Sequence, residues 1–341
     1  MSPQSEAVTG AAGIAFITGV TGQDGSYLAE SLLSRGWEVH GLVRHVPATP
    51  HNNEGETAVE GVEYHLGDLS QPKELSSVLE SIKPDLVFNL GGISSVYQSW
   101  QQPYETALVS GASVVSMLEA TWQLQQATGK EVRFLQASSA ELFGEAKSSP
   151  QNEMTPIRPV SPYGAAKALA HHAVGVYRGR GLFAASAILY NHESMRRPAK
   201  FVTRKITAGA AAIAAGKMDK LALGNLNAVR DWGWAPDFVD AMERIINAAA
   251  PDDFVVATGI SHSVQDFVEA AFAAVGIENW RAVVELDESL ARPTDAADMR
   301  GDITKISSEL GWRPSMDFKS LVAAMVRNDQ ALLARGCSSH S

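Results

Sequence analysis

The sequence predicts an α/β fold: a doubly wound parallel sheet with a smaller, interleaved C-terminal substrate lobe. Three observations predict it. Short apolar runs alternate with amphipathic stretches as far as Tyr190, which is how a parallel sheet with helical crossovers reads. The first run ends in a glycine-rich turn that opens a helix. The residues able to do chemistry fall at the carboxyl ends of the runs, where open parallel sheets bind ligands.

The elements follow in order. Ile14-Ala15-Phe16-Ile17-Thr18-Gly19 reads as a first strand. Gly19-x-x-Gly22-x-x-Gly25 follows it and an amphipathic helix begins at Ser26. Glycines there allow a tight turn, close approach of backbone to a pyrophosphate and close helix–strand packing, so the unit reads as a Rossmann-type dinucleotide site. Glu38-Val39-His40-Gly41-Leu42-Val43-Arg44 is the second strand. A site for NAD usually ends this strand in a carboxylate; here Arg44, with His45 beside it, suits a 2′-phosphate and selects NADP. Val62–Leu69 reads as a third strand, Gln71–Ile82 as a helix, and Asp85–Leu90 as a fourth strand running into Gly91-Gly92. A long helix is expected over Tyr104–Gln126, a fifth strand over Val132–Ser138, a helix from Tyr163 to about Arg178, and a sixth strand over Phe183–Tyr190. Beyond Asn191 the pattern breaks into shorter pieces. Helices are expected over Lys200–Gly216, Pro236–Ala249, Ser263–Val275 and Phe318–Arg335, a short strand at Leu221–Gly224, and a buried strand at Phe254–Thr258 that returns to the sheet.

Composition narrows the class. At 341 residues with 45% apolar content, the chain can bury a large core. A net charge of −10 argues against a nucleic-acid or anionic-membrane partner. No apolar run reaches the roughly 18 residues that span a bilayer. A single cysteine, Cys337, excludes an internal disulfide framework and suits a reducing cytoplasm. No His/Cys/Asp/Glu spacing suggests a metal site. The segments 1–13 and 336–341 read as loose tails.

The most informative stretch is Ser138-Ser139-Ala140-Glu141 followed by Ser161-Pro162-Tyr163-Gly164-Ala165-Ala166-Lys167. Tyr163 and Lys167 stand four apart, so on a helix both point the same way. A neighbouring ammonium is expected to lower the phenol pKa and make Tyr163 a proton acceptor near neutrality. Glu141 is a second potential base, which is more than an alcohol oxidation needs.

On these residues the chain resembles the GDP-mannose 4,6-dehydratase family of the extended short-chain dehydrogenase/reductase superfamily, from about Ile14 to Met325. The glycine turn, Asp68-Leu69 and Tyr163-x-x-x-Lys167 are superfamily features. Thr18–Leu28, Asn191-His192-Glu193-Ser194, Phe201–Ile206 and Leu223–Gly233 are far more specific to the family. The chain departs from the family pattern at Ser139 (usually Thr), Ala140 (usually Ser), Gly91–Ser95 (usually Ala-Ala-Gln-Ser-His), Met195 (usually Pro) and Trp234-Ala235-Pro236.

The resemblance implies a reaction. GDP-D-mannose would become GDP-4-keto-6-deoxy-D-mannose and water, with hydride passed from C4 to NADP⁺ and returned to C6. Tyr163 would take the 4-hydroxyl proton, Ser139 would bond the same oxygen, Lys167 would hold the ribose, and Glu141 would remove the C5 proton. The implied cofactor residues are Gly19, Gly22, Gln23, Asp24, Gly25, Arg44, Asp68, Leu69, Leu90, Tyr163, Lys167, His192 and Arg197. The implied sugar-nucleotide residues are Asn191, Glu193, Lys205, Gly224, Arg230 and Arg292, and no metal is called for. The implied organisation is an NADP-binding domain over 14–190, with return segments near 234–258, and a nucleotide-sugar lobe from 191–233 and 259–335. A homodimer or homotetramer is implied, with Val109–Leu124 as a candidate seam. Two other readings stand beside this one: a dehydratase, 4-keto reductase or epimerase acting on another nucleotide sugar, and an inactive NADP-binding protein. Glu141 argues against the reductase and the epimerase, and the intact Ser139, Glu141, Tyr163 and Lys167 argue against inactivity.

Overall fold

Apolar runs that are buried on both faces become the central strands of a parallel sheet, and the computed structural model, which describes residues 12–47, 56–287 and 298–336, builds the fold on them. In chain order the first part runs β1 (Ile14–Thr18), α1 (Gln23–Ser34), β2 (Glu38–Val43), β3 (Glu63–Leu66), α2 (Pro72–Ile82), β4 (Leu86–Asn89), α3 (Val96–Gln101), α4 (Pro103–Ala107), α5 (Ser113–Thr128), β5 (Arg133–Ser139), α6 (Pro162–Gly179) and β6 (Phe183–Leu189). The remainder is β7 (Asn191–Glu193), α7 (Val202–Ala214), β8 (Leu221–Leu223), β9 (Val229–Trp234), α8 (Ala235–Ile246), β10 (Asp253–Val256), β11 (Ser261–Ser263), α9 (Val264–Ala274), β12 (Val284–Leu286), β13 (Asp298–Met299), α10 (Thr304–Leu310) and α11 (Phe318–Ala334).

Seven strands form the main sheet in the order β10-β6-β5-β4-β1-β2-β3, and every pairing is parallel. The expected α/β architecture is therefore present, with β10 returning from the second part of the chain to cover the edge at β6. Strand order reverses between β1 and β4, and the crevice at such a switch point is where these sheets take a ligand. Two apolar cores flank the sheet. One centres on Ile17, Phe88, Leu135, Phe238 and Ile245, the other on Phe16, Val87, Met117, Leu118 and Phe134.

A third core lies apart from the sheet faces, where α7, α9 and α11 contribute Ile206, Phe267, Leu321 and Met325 around Trp232 and Trp280. A four-stranded sheet sits beside it, with β9 pairing β7, β11 and β13. The register sets Asn191 opposite Trp232 and Glu193 opposite Trp234, so the Asn-His-Glu segment and the strand carrying Arg230 belong to one sheet. Arg204 and Asp329 form a buried ion pair at 2.6 Å between α7 and α11. Arg204 also donates to the carbonyls of Met195 (2.7 Å) and Arg197 (3.0 Å), which fixes the loop after β7.

One expected element differs. The helix read as continuous over Tyr104–Gln126 contains a π-turn at Leu108–Ala112 between α4 and α5. Such turns commonly sit at functional sites. This one turns Ser110 toward the segment after β4, where its hydroxyl accepts from the Ile93 N–H at 2.9 Å.

Candidate active site

The β1–α1 turn is built by close packing. A methyl group on Gly25 would lie 2.1 Å from the Gly19 carbonyl oxygen, so only glycine lets the helix start this near the strand. Gly22 is different, because a side chain there would meet only the Gly19 carbonyl, at 3.2 Å. Helix α1 opens at Gly22 with no side-chain cap. Its first N–H groups thus point at an uncrowded surface, which fits the pyrophosphate of a dinucleotide. Arg44 stands exposed just past β2, and its charge contributes to lowering the Asp68 carboxyl, whose main stabiliser is the Ser70 backbone N–H. Leu69 packs against the second core, and Leu90 follows β4 with its N–H donated to Thr18.

Gln23, Asp24 and His192 meet at the mouth of this turn. His192 Nε2 lies 2.8 Å from Asp24, and Nδ1 lies 2.7 Å from the Tyr190 carbonyl. Both ring nitrogens face acceptors, which favours the doubly protonated ring. Burial opposes that charge, but Asp24 outweighs it and the His192 pKa is raised. Burial likewise opposes the Asp24 carboxylate, but the His192 charge and hydrogen bond, then Gln23, leave it lowered. Gln23 donates to the His192 carbonyl at 3.1 Å and accepts from Ser194 at 2.9 Å. The three residues therefore lock the phosphate turn to β7.

This pair gives a pH-dependent prediction. The His192 contribution to stability is full below the ordinary histidine value of 6.5 and is lost as pH rises through the raised folded value. The Asp24 contribution is full above 3.8 and is lost as pH falls through the depressed value. His192→Phe keeps the ring that stacks on Phe238 at 4.5 Å and removes the charge. Urea unfolding should show this variant less stable by about 1–3 kcal/mol at about pH 5, and by less at about pH 9. An equal deficit at both would remove the ion pair from the account.

The residues expected to be catalytic lie at the end of β5 and the start of α6. Ser161 caps α6 by accepting from the Gly164 N–H at 3.0 Å, with Pro162 in the first turn, and this fixes the helix that carries Tyr163 and Lys167. Tyr163, Lys167 and Ser139 are all buried, and the Ser139 hydroxyl lies near enough to the phenol to favour its ionised form. Glu141 follows Ser139 in a single 3₁₀ turn, its N–H donated to Ser139 Oγ at 3.2 Å. Burial pushes the phenol up to about 12; the Ser139 hydroxyl works against that, and the Glu141 charge adds to it. Burial lowers the Lys167 ammonium to about 8. The expected acidification of Tyr163 by Lys167 is not found: desolvation governs the shift, and the groups that oppose it are Ser139 and Arg197. Lys167 Nζ lies 5.8 Å from the centre of the tyrosine ring and donates to the Ala137 carbonyl at 2.7 Å.

Beneath that carbonyl runs a buried polar chain that the sequence reading missed. Thr18 donates to Asn89 Oδ1 at 2.6 Å, Asn89 donates to Gln136 Oε1 at 2.7 Å, and Gln136 donates to the Ala137 carbonyl at 2.7 Å. Thr18 Oγ1 also accepts from the Gly91 N–H at 3.0 Å. The chain crosses the switch point and joins the phosphate turn to Lys167. Its signal is one polar residue near the end of each successive apolar strand, at positions the register sets side by side.

The expected sugar-nucleotide residues are placed less closely. Glu193 is buried, accepts from Thr203 at 2.7 Å and pairs with Arg197 at 3.1 Å, so its carboxylate supports Arg197. Arg197 also lies 3.7 Å from the centre of the Phe201 ring. Asn191 lies in β7, Lys205 in the first turns of α7, Gly224 just past β8 and Arg230 buried in β9. Arg292 lies outside the described residues, as do Cys337 and most of both expected tails. Asp231, beside Arg230, is a structural hub: its carboxylate accepts from the backbone of Thr258, Gly259 and Gly301 and from the Thr258 hydroxyl.

Comparison with known proteins places this geometry. The family model for GDP-mannose 4,6 dehydratase matches residues 16–325. GDP-mannose 4,6 dehydratase 1 of Arabidopsis thaliana is 43% identical, the match covering 94% of this chain and 91% of that protein. The human GDP-mannose 4,6 dehydratase is 41% identical over 94% and 92% of the two chains. The Vibrio cholerae enzyme is 38% identical over 94% and 95%. Among solved structures, UDP-glucose 4-epimerase of Thermotoga maritima superposes with a TM-score of 0.80 at 20% identity, covering 94% of this chain and 99% of that one. RMD of Pseudomonas aeruginosa, complexed with NADPH, does so with 0.76 at 20%, over the same shares. These two share the fold.

Proposed function

The chain belongs to the GDP-mannose 4,6-dehydratase family, and from that premise we propose how its own residues carry the reaction. It is an NADP-dependent hydro-lyase that converts GDP-D-mannose to GDP-4-keto-6-deoxy-D-mannose and water, without net oxidation. One observation carries the assignment of roles. The phenol of Tyr163 feels both neighbours at once: the Ser139 hydroxyl favours its ionised form and the Glu141 carboxylate opposes it. Oxidation of an alcohol needs the first two groups, and loss of water across C5 and C6 needs a further base.

When bound, NADP supplies a hydride acceptor at C4, a hydride donor at C6 and, in its oxidised ring, a positive charge. Tyr163 takes the 4-hydroxyl proton while Ser139 donates a hydrogen bond to the same oxygen. Lys167, held by Ala137, keeps a cation below the tyrosine ring. The C4 ketone acidifies the C5 proton, which Glu141 removes. Glu141 then hands that proton to the departing 6-hydroxyl, which leaves as water, and as C6 is reduced C5 takes up a proton from solvent that balances the one Tyr163 received and releases, so both residues end as they began.

Arg44 takes the 2′-phosphate; Gly19, Gly22 and Gly25 take the pyrophosphate, with Gln23, Asp24 and His192 holding the turn. Asp68, Leu69 and Leu90 line the adenosine side, and Arg197 the side nearer Tyr163. Asn191, Glu193, Lys205, Gly224 and Arg230 form the GDP-sugar side, to which Arg292 is assigned by sequence alone, with 14–190 and the return near 234–258 as the cofactor domain and 191–233 with 259–335 as the sugar-nucleotide lobe. Among the described residues no helix is long and apolar enough to cross a membrane. We place the chain in the cytoplasm on its single cysteine.

Mass spectrometry of GDP-mannose incubated with the purified chain and catalytic NADP⁺ should show loss of one water with no accumulation of NADPH. An unchanged mass would refute the assignment of substrate. On α6, Leu169 and Val176 are 48% and 63% exposed, an apolar strip suited to pairing with a second copy. Light scattering should find a dimer or tetramer, and a monomer at micromolar concentration would remove that reading.

A further inference from the structure

Two adjacent parallel strands carry the same three-residue pattern: Glu38-Val39-His40 on β2 and Glu63-Tyr64-His65 on β3. Alternation along a strand puts both members of each pair on one face. The register then sets His40 opposite Glu63 and Leu42 opposite His65, so all four polar side chains share that face at the edge of the main sheet.

The atoms converge. His40 Nδ1 lies 2.8 Å from His65 Nε2. The Glu63 carboxylate lies 3.9 Å from the first nitrogen and 3.7 Å from the second, and the three donor atoms fall within 4.8 Å of one another. A shared proton between the histidines explains the short contact but leaves Glu63 beyond hydrogen-bond reach of both rings. His40 Nε2 lies 2.9 Å from Glu38. A carboxylate on the far nitrogen of an imidazole is the usual support of a metal-ligating histidine, because it fixes the tautomer and the ring orientation.

We propose that His40, His65 and Glu63 bind one divalent transition-metal cation of the zinc class, with Glu38 orienting His40. Two imidazole nitrogens and one carboxylate are a donor set such ions accept, with water as the fourth ligand. Zinc–ligand bonds of about 2.0–2.2 Å put tetrahedral donor atoms about 3.4 Å apart. The observed 2.8 Å contact must therefore open slightly and the 3.7 and 3.9 Å contacts close, within the reach of ordinary side-chain rotation. Glu63 is 65% exposed and His65 21% exposed, which gives the ion a path in. The ion would staple β3, the four-residue edge strand, to β2, and would act far from Tyr163. The two halves of the site are 25 residues apart in sequence, which is why no local metal spacing announces it.

The test uses the full chain, stripped of metal by a chelator and dialysed. Co²⁺ should bind with one equivalent and give the visible bands of a four-coordinate ion, and Zn²⁺ should displace it and raise the Tm. His65→Asn and Glu63→Gln, both at solvent-facing positions, should each weaken Co²⁺ binding at least about tenfold. His172→Asn, an exposed histidine on α6, should leave it unchanged. Retention of NADPH binding shows that each variant has folded. Absence of a one-to-one complex at micromolar metal, or equal binding in the His65 and Glu63 variants, would overturn the proposal.

Discussion

The Tyr163→Phe chain will bind NADP and GDP-mannose and turn over at least about a thousandfold more slowly than the wild type. The change removes one oxygen from a buried ring on a helix whose cap, Ser161, is untouched, so the fold should survive. What is lost is the one group placed to take the 4-hydroxyl proton, with the Ser139 hydroxyl beside it favouring its ionised form. The cost should be large because burial pushes this phenol up to about 12. Its conjugate base is strong, and no neighbour can replace it: Ser139 is a far weaker acid, and Lys167 is committed to the Ala137 carbonyl. The same placement predicts that wild-type kcat/KM rises with pH through the neutral and mildly alkaline range, since the phenol stays protonated below about 12. Stopped-flow kinetics with both ligands saturating would separate binding from chemistry. A kcat within tenfold of wild type would remove Tyr163 from its role.

Tyr163 and Lys167 were legible because helical spacing states which residues share a face, and the structure places them together. Their pKa values were not legible, because spacing says nothing of burial. Lys167 turns to a backbone carbonyl from β5, and desolvation governs both groups. The strands of the main sheet were legible for a related reason: a strand covered on both faces is a continuous apolar run. Strands β7, β11 and β13 were hidden because they are only two or three residues long, and β9 because the buried charges Arg230 and Asp231 interrupt it. Such polar residues are tolerable only through partners distant in sequence, as Asp231 finds in Thr258, Gly259 and Gly301. The Thr18–Asn89–Gln136 chain escaped notice for the same reason, since each member looks like a single polar interruption until register aligns them. A methyl group on Gly91 would lie 2.8 Å from Leu69 Cδ1 and 3.0 Å from Thr18 Oγ1, so a side chain there would require the Leu69 side chain to move aside.

Glu141→Gln should stop the reaction between its two halves. Glutamine keeps the shape of the side chain and the backbone bond to Ser139, so Tyr163, Ser139 and Lys167 remain placed for oxidation at C4. It cannot accept the C5 proton. Loss of a general base costs about 10²–10⁴-fold, and this base is used twice, once to take the proton and once to deliver it to the departing hydroxyl. The expected product is a GDP-sugar oxidised at C4 that keeps its 6-hydroxyl, lighter than GDP-mannose by two hydrogens rather than by one water. In deuterated solvent the wild-type product should carry deuterium at C5, and the variant's sugar should not. Removing a negative charge that raises the tyrosine pKa should, if anything, ease the first half, which makes the block at elimination easier to see. If the variant released water at the wild-type rate, or exchanged C5 normally, the base would lie elsewhere and Glu141 would be reduced to shaping the field around Tyr163.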